Sequence, residues 1–126
     1  MFKLEWIYVL FFCLVATTAI AADGREKDEF LLTATWECDD GGVYYSRLVG
    51  KDFYWFGEDP NGGWSNVFVG RFQGNTISGE WVDVPKGGNR LNGKLKVNVS
   101  RDRMTLSVIE ADGGFSGEIW KQRVKK

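Results

Sequence analysis

The 126-residue chain contains no histidine. That excludes serine–histidine catalysis, histidine metal ligation and a histidine pH switch. Proline and cysteine each occur only twice. The formal net charge is −1, so no overall basic field exists to hold nucleic acid. No segment carries a sustained helical period. What is present in quantity is glycine, 16 residues, and aromatic side chains, 15% of the chain. Glycine is well above its usual share of about 7%. With aromatics and almost no proline, it points to many short strands joined by tight turns.

The first residues read as an address. Trp6–Ala16 is an eleven-residue apolar run behind Lys3. Ala19-Ile20-Ala21 then supplies the small residues that signal peptidase reads. Residues 1–21 are therefore expected to be a secretory signal cut before Ala22. The mature protein is then secreted or periplasmic, with no membrane span. The alternative is an uncleaved anchor, but Trp6–Ala22 is 17 residues long and interrupted by Thr17 and Thr18, which is marginal for a bilayer. Cleavage removes Cys13 and leaves Cys38 alone, so no internal disulfide can form. A lone thiol in an oxidising compartment is either buried or paired between chains. Burial as a small apolar residue is the preferred reading.

Residues 22–31 are charged and aperiodic and read as a solvated leader arm. From there, period-two segments alternate with turn signals. Strands are expected at about 32–38, 43–49, 52–58, 66–73, 76–84, 91–99, 104–110 and 115–121. The sixth is the clearest: Leu91, Gly93, Leu95, Val97 and Val99 oppose Asn92, Lys94, Lys96 and Asn98. Residues 32–122 thus form one all-β domain, followed by a basic tail at 123–126. An eight-stranded antiparallel up-and-down barrel is favoured over a β-sandwich, because closure removes exposed edges.

Glycine pairs lie at Gly41-Gly42, Gly62-Gly63, Gly87-Gly88 and Gly113-Gly114. In this strand order they fall after strands one, three, five and seven. A meander gathers those four loops at one end, which is expected to be flexible and open, while shorter turns close the other. Eight short strands, a G-x-W on strand five (Gly79-Glu80-Trp81) and longer odd-numbered loops resemble the calycin-type barrels, the avidin-like and lipocalin-like folds. That resemblance covers Thr33–Gln122 and implies a small-ligand site at the end ringed by the odd loops. No biotin-site pattern carries over residue by residue. The stretch Tyr44-Tyr45-Ser46-Arg47, Trp55-Phe56-Gly57-Glu58, Asn66-Val67-Phe68 and Gly79–Pro85 is also similar to a pattern in uncharacterised secreted bacterial proteins. It implies a shared fold and no chemistry.

Charge is split along the chain. Residues 23–59 hold 4 basic and 10 acidic groups (4 − 10 = −6), and residues 60–126 hold 11 basic and 6 acidic (11 − 6 = +5). Trp64, Asp39, Asp40, Asp59 and Asp112 fall at the glycine-rich end. This net-acidic rim would favour cationic ligands or basic partners. Calcium would suit it chemically, but no EF-hand spacing exists and turns are rich in Asp anyway, so no metal or cofactor is expected. Asp83 shares the Ile77/Gly79/Trp81 face, taken as interior. Arg47 shares a face with Val43, Tyr45 and Val49. If both point inward, they are a buried ion pair or the polar end of a pocket walled by Tyr45, Trp55 and Trp81. Tyr45, Arg47, Trp55, Trp81 and Asp83 are thus the candidate ligand-binding residues. Cys38 has no histidine to activate it, and no enzyme activity is expected. The expected function is a non-catalytic exported barrel binding a small molecule. The alternatives are a protein-interaction module, such as an exported protease inhibitor, or a structural envelope protein. A barrel filled by Trp55, Trp81, Leu95 and Leu106 would count against an interior ligand.

Overall fold

A computed structural model describes residues 23–124; the expected signal (1–21), Ala22, and Lys125 and Lys126 of the basic tail lie outside the described residues. Eight strands follow one another in the expected order: β1 (Thr35–Cys38), β2 (Val43–Val49), β3 (Asp52–Glu58), β4 (Ser65–Gln73), β5 (Thr76–Asp83), β6 (Asn92–Val99), β7 (Thr105–Ala111) and β8 (Ile119–Gln122). Each pairs antiparallel with the next. β8 returns to β1 through Trp36↔Gln122, Glu37↔Lys121 and Cys38↔Trp120, closing the barrel. The sandwich alternative is thereby excluded. Closure leaves no strand edge exposed.

Strand alternation sets what lies inside. β2 sends Tyr44, Ser46 and Leu48 inward, and β3 sends Phe53 and Trp55. β4 contributes Asn66, Phe68 and Phe72, β5 Ile77 and Trp81, and β6 Leu95, Val97 and Val99. Leu106 and Trp120 complete the core. The register between β6 and β7 shifts between Lys96 and Val97, so that Ile109 faces no β6 partner. This bulge breaks the alternation at the end of β7, where Ile109, Glu110 and Ala111 are all exposed.

The two ends differ as the link lengths require. Gly50-Lys51 and Gly74-Asn75 are two-residue hairpins, with Val49 paired to Asp52 and Gln73 to Thr76. They form the short-turn end, and the same end receives the segment before β1. That segment was expected to be a solvated arm, yet residues 23–32 are a helix, α1. Six of its ten residues, Arg25, Glu26, Lys27, Glu29, Leu31 and Leu32, are good helix formers. It has no hydrophobic period because it docks by its last turn only. Leu32 is fully buried in the core. Ser46 Oγ donates to the Leu32 carbonyl at 2.6 Å and accepts from Trp36 Nε1 at 2.8 Å. Gly50 N–H donates to Glu29 Oε1 at 2.7 Å, and Arg103 pairs with Asp28 at 3.0 Å. Gln122 Nε2 donates to the Leu31 carbonyl at 2.6 Å. α1 is therefore the stopper of the short-turn end.

Leu32→Ala is expected to cost about 2–5 kcal/mol of unfolding free energy. Lys27→Ala, on the exposed side of α1, should stay within about 0.5 kcal/mol. Urea denaturation measures both, and a Leu32→Ala protein as stable as its parent would mean that α1 is not a stopper.

Candidate functional site

At the other end, four longer loops meet, and each is fastened by an aspartate. Asp39 Oδ1 accepts the backbone N–H groups of Glu118 (2.8 Å) and Ile119 (3.2 Å) across the barrel seam. These bonds, that of Glu118 foremost, hold the Asp39 carboxyl below its ordinary range. Asp59 accepts from the N–H groups of Asn61 (3.0 Å) and Gly63 (3.1 Å) in its own loop. Asp112 Oδ1 accepts from Lys94 N–H at 2.6 Å, and the Asp112 carbonyl accepts from Trp81 Nε1 at 3.1 Å. Asp83 Oδ2 accepts from Leu91 N–H at 2.9 Å. Asp40 spans loop and interior: Oδ1 takes the Gly42 N–H (2.8 Å) and Oδ2 the Tyr44 hydroxyl (2.6 Å).

The end expected to be open is covered. The Trp64 ring lies directly on Gly42, where any Cβ would collide with it. Gly87 sits against the Gly63 carbonyl with no room for a side chain. The glycine pairs therefore act at these points as close contacts between loops, which is the other use of a missing Cβ. Phe115 closes the cover from beneath, 5.0 Å from Trp81 and 5.9 Å from Trp120 between ring centroids.

The interior is filled. Trp55 stands at its centre, with ring centroids 4.7 Å from Phe68, 5.0 Å from Tyr44 and 5.1 Å from Trp120. Its Nε1 donates to Asn66 Oδ1 at 2.9 Å. Trp55, Trp81, Leu95 and Leu106 are all buried core. What remains is a recess of about 60 Å3 at the covered end, lined by Asp40, Trp64, Asn66, Trp81, Asp83 and Phe115 among others.

Of the five candidate ligand residues only Trp81 and Asp83 come together, at the recess. Trp55 is core, Trp81 is core with its ring also lining the recess beside Asp83, and Tyr45 and Arg47 lie on the outer face. The correction is one of strand parity: a shift of one residue exchanges the two faces of a strand. β2 is apolar on both, so Tyr45, Arg47 and Val49 looked as suited to the interior as Tyr44 and Leu48. Of the rim residues, Asp39, Asp59 and Asp112 fasten loops, whereas Asp40 and Trp64 join Asp83 at the recess. Asn66, Phe115 and Tyr44 were missed. The usable signal for Asn66 was a polar residue in phase with Phe68, Gly70 and Phe72. No protein-family model, curated protein or solved structure matches the chain.

Larger depressions lie on the outside. One of about 620 Å3 runs over Glu80, Lys94, Lys96 and Glu110. There the opposite charges are cross-strand neighbours, as on a solvated sheet face. Another, of about 510 Å3, lies over Tyr45, Tyr54 and Phe56. Among the described residues, no three metal-binding side chains converge, and no helix is long and apolar enough to cross a membrane.

Cys38 is free and buried. Desolvation is the main cause that raises its thiol pKa, with the Asp40 charge adding to it. A thiol so held is unreactive. Burial, then the Asp40 charge, likewise raises the Tyr44 hydroxyl, so it stays a donor to Asp40. Above pH 9.0, the ordinary value for the thiol, the unfolded chain loses a proton that the folded chain keeps. Stability then falls with rising pH, by about 1.4 kcal/mol per unit for one such group. Urea titrations are expected to show this loss in the parent and a flatter profile in Cys38→Ala. Equal slopes in the two proteins would contradict the burial of the thiol.

Proposed function

We propose that the chain is a non-catalytic binding barrel that takes the tip of a cationic group into the recess of its glycine-rich end. The observation that carries this reading is the composition of that recess. The carboxylates of Asp40 and Asp83 and the rings of Trp64, Trp81 and Phe115 line one small hollow at the covered end of the barrel. Aromatic faces attract an ammonium or guanidinium through the ring quadrupole, and carboxylates accept its hydrogen bonds. Each of the two carboxylates keeps lone pairs beyond those its loop uses.

The size narrows the class. A whole small molecule needs a pocket of about 300–1,000 Å3, and the recess offers about 60 Å3. It suits an amine head or the end of a lysine or arginine side chain. The ligand is therefore an amine presented by a small molecule or by a protein surface, and the cation is the shared chemistry. The unreactive Cys38 and the absence of histidine favour binding over catalysis. With residues 1–21 read as a signal, the binding takes place outside the cytoplasm.

Tetramethylammonium, lysine methyl ester and agmatine, titrated with tryptophan fluorescence and amide NMR as readouts, test this. Millimolar affinity is expected, with shifts confined to the loops around Trp64 and Phe115. Trp64→Ala and Asp83→Asn should each weaken it about tenfold or more, while Lys27→Ala leaves it unchanged. Shifts spread evenly over the surface, or binding indifferent to both variants, would overturn the reading.

A further inference from the structure

The outer face of β2–β5 carries apolar side chains where a solvated barrel would carry polar ones. Two cross-strand rows define it. Tyr45, Phe56, Val67 and Val82 stand side by side across β2, β3, β4 and β5, and Arg47, Tyr54, Val69 and Glu80 form the next row. Tyr45, Tyr54, Phe56, Val69 and Val82 are 46%, 43%, 39%, 54% and 45% exposed. Together with Val67 they present roughly 400 Å2 of contiguous apolar surface, in the range of the largest patch on a typical monomer and often functional there. The tilt of barrel strands makes a cross-strand row climb along the barrel, so the patch is flatter than the girth.

The second row is charged only at its ends, and with opposite signs. Arg47 lies at the β2 end and Glu80 at the β5 end. Neither makes an ion pair among the described residues. Lys94 is the β6 neighbour of Glu80 in the register, but no ion pair links them. We infer that this face is the interface of a two-fold dimer of the chain. An axis lying in the interface, along the strands between β3 and β4, sets the partner's row over its own in reverse order. Arg47 then meets the partner's Glu80, and Glu80 the partner's Arg47. Tyr54 packs on the partner's Val69, Phe56 on the partner's Val67 and Tyr45 on the partner's Val82. This self-complementarity is what an isologous contact demands. A stable interface buries roughly 800 Å2 per partner; the apolar rows supply about half of that and the charged flanks add to it, which implies a weak, reversible dimer. The inference is independent of the cation recess, which lies at the end of the barrel.

Sedimentation equilibrium of the purified protein tests it. A monomer–dimer equilibrium is expected in the micromolar range. Arg47→Glu and Glu80→Arg each bring like charges together twice and should raise the dissociation constant at least tenfold, as should Val69→Asp. The two charge variants mixed in equal amounts have both contacts attractive again, and the mixture should dimerise like the parent. So should the double variant R47E/E80R. Recovery on mixing also demonstrates that each single variant is folded. A parent that stays monomeric at every concentration overturns the inference and leaves the face to a different partner. So does a dimer indifferent to the charge reversals, or a mixture of folded variants that stays monomeric.

Discussion

The interior of this barrel is small, and eight buried aromatic rings must fit in it: Trp36, Tyr44, Phe53, Trp55, Phe68, Phe72, Trp81 and Trp120. The rest of the structure follows from that packing constraint. Rings of this size can share so narrow a space only if the wall beside them is bare. Gly57 provides that under the Tyr44 ring, and Gly70 provides it against Phe68 and Ile77. Each ring buried contributes on the order of 1.5–3 kcal/mol, and edge-on pairs such as Tyr44–Trp55, at 76° between planes, add to it. The indoles bring polar N–H groups with them. Ser46 accepts that of Trp36 and Asn66 that of Trp55, which explains two of the buried polar residues. Trp120 Nε1, at the seam where β8 meets β1, is buried with no such acceptor. Desolvation there costs about 1–3 kcal/mol, which the surrounding packing offsets.

A filled barrel moves any binding to its ends and its outside. One end is taken by α1, whose last turn inserts Leu32 into the core. The opposite end is roofed by Trp64 and Phe115, which cover the recess. The glycine pairs make that roof possible by letting loops touch backbone to backbone or under a ring. The two surfaces with unmet chemistry are therefore the recess, with its carboxylates and rings, and the apolar rows outside β2–β5.

The strands were legible because polar and apolar residues alternate cleanly where one face meets water. β6 is the clearest case, with Leu95 and Val97 inward and Lys94 and Asn98 outward. β2 failed the same test for a physical reason. Its outward residues include Tyr45 and Val49, so both faces look like core. The error in placing Arg47 and the exposed apolar patch are one fact seen twice. α1 escaped notice because it buries one residue fully and so lacks the repeat by which helices are recognised. The glycine pairs do lie at one end, and Gly41, Gly62, Gly113 and Gly114 take the positive φ expected of turn glycines; the difference is that the end they build is covered. The close approaches at Gly42 and Gly87 were not legible, because only the partner, such as Trp64, shows that a missing Cβ is also needed there.

The two proposed surfaces constrain each other through the symmetry axis. An axis along the strands keeps the strand direction, so both recesses fall at the same end of the dimer. The strands of such a barrel tilt about 35–45° from its axis. The two recesses are thus splayed by twice that angle, roughly 80°. A flat surface studded with cationic groups cannot fill both at once. A flexible chain bearing two basic groups can, and the second contact then benefits from a raised effective concentration. Short free amines would fill the two recesses independently, with no gain from dimerisation. The dependence of affinity on ligand length thus separates a bivalent clamp for a basic polypeptide from a simple receptor for small amines.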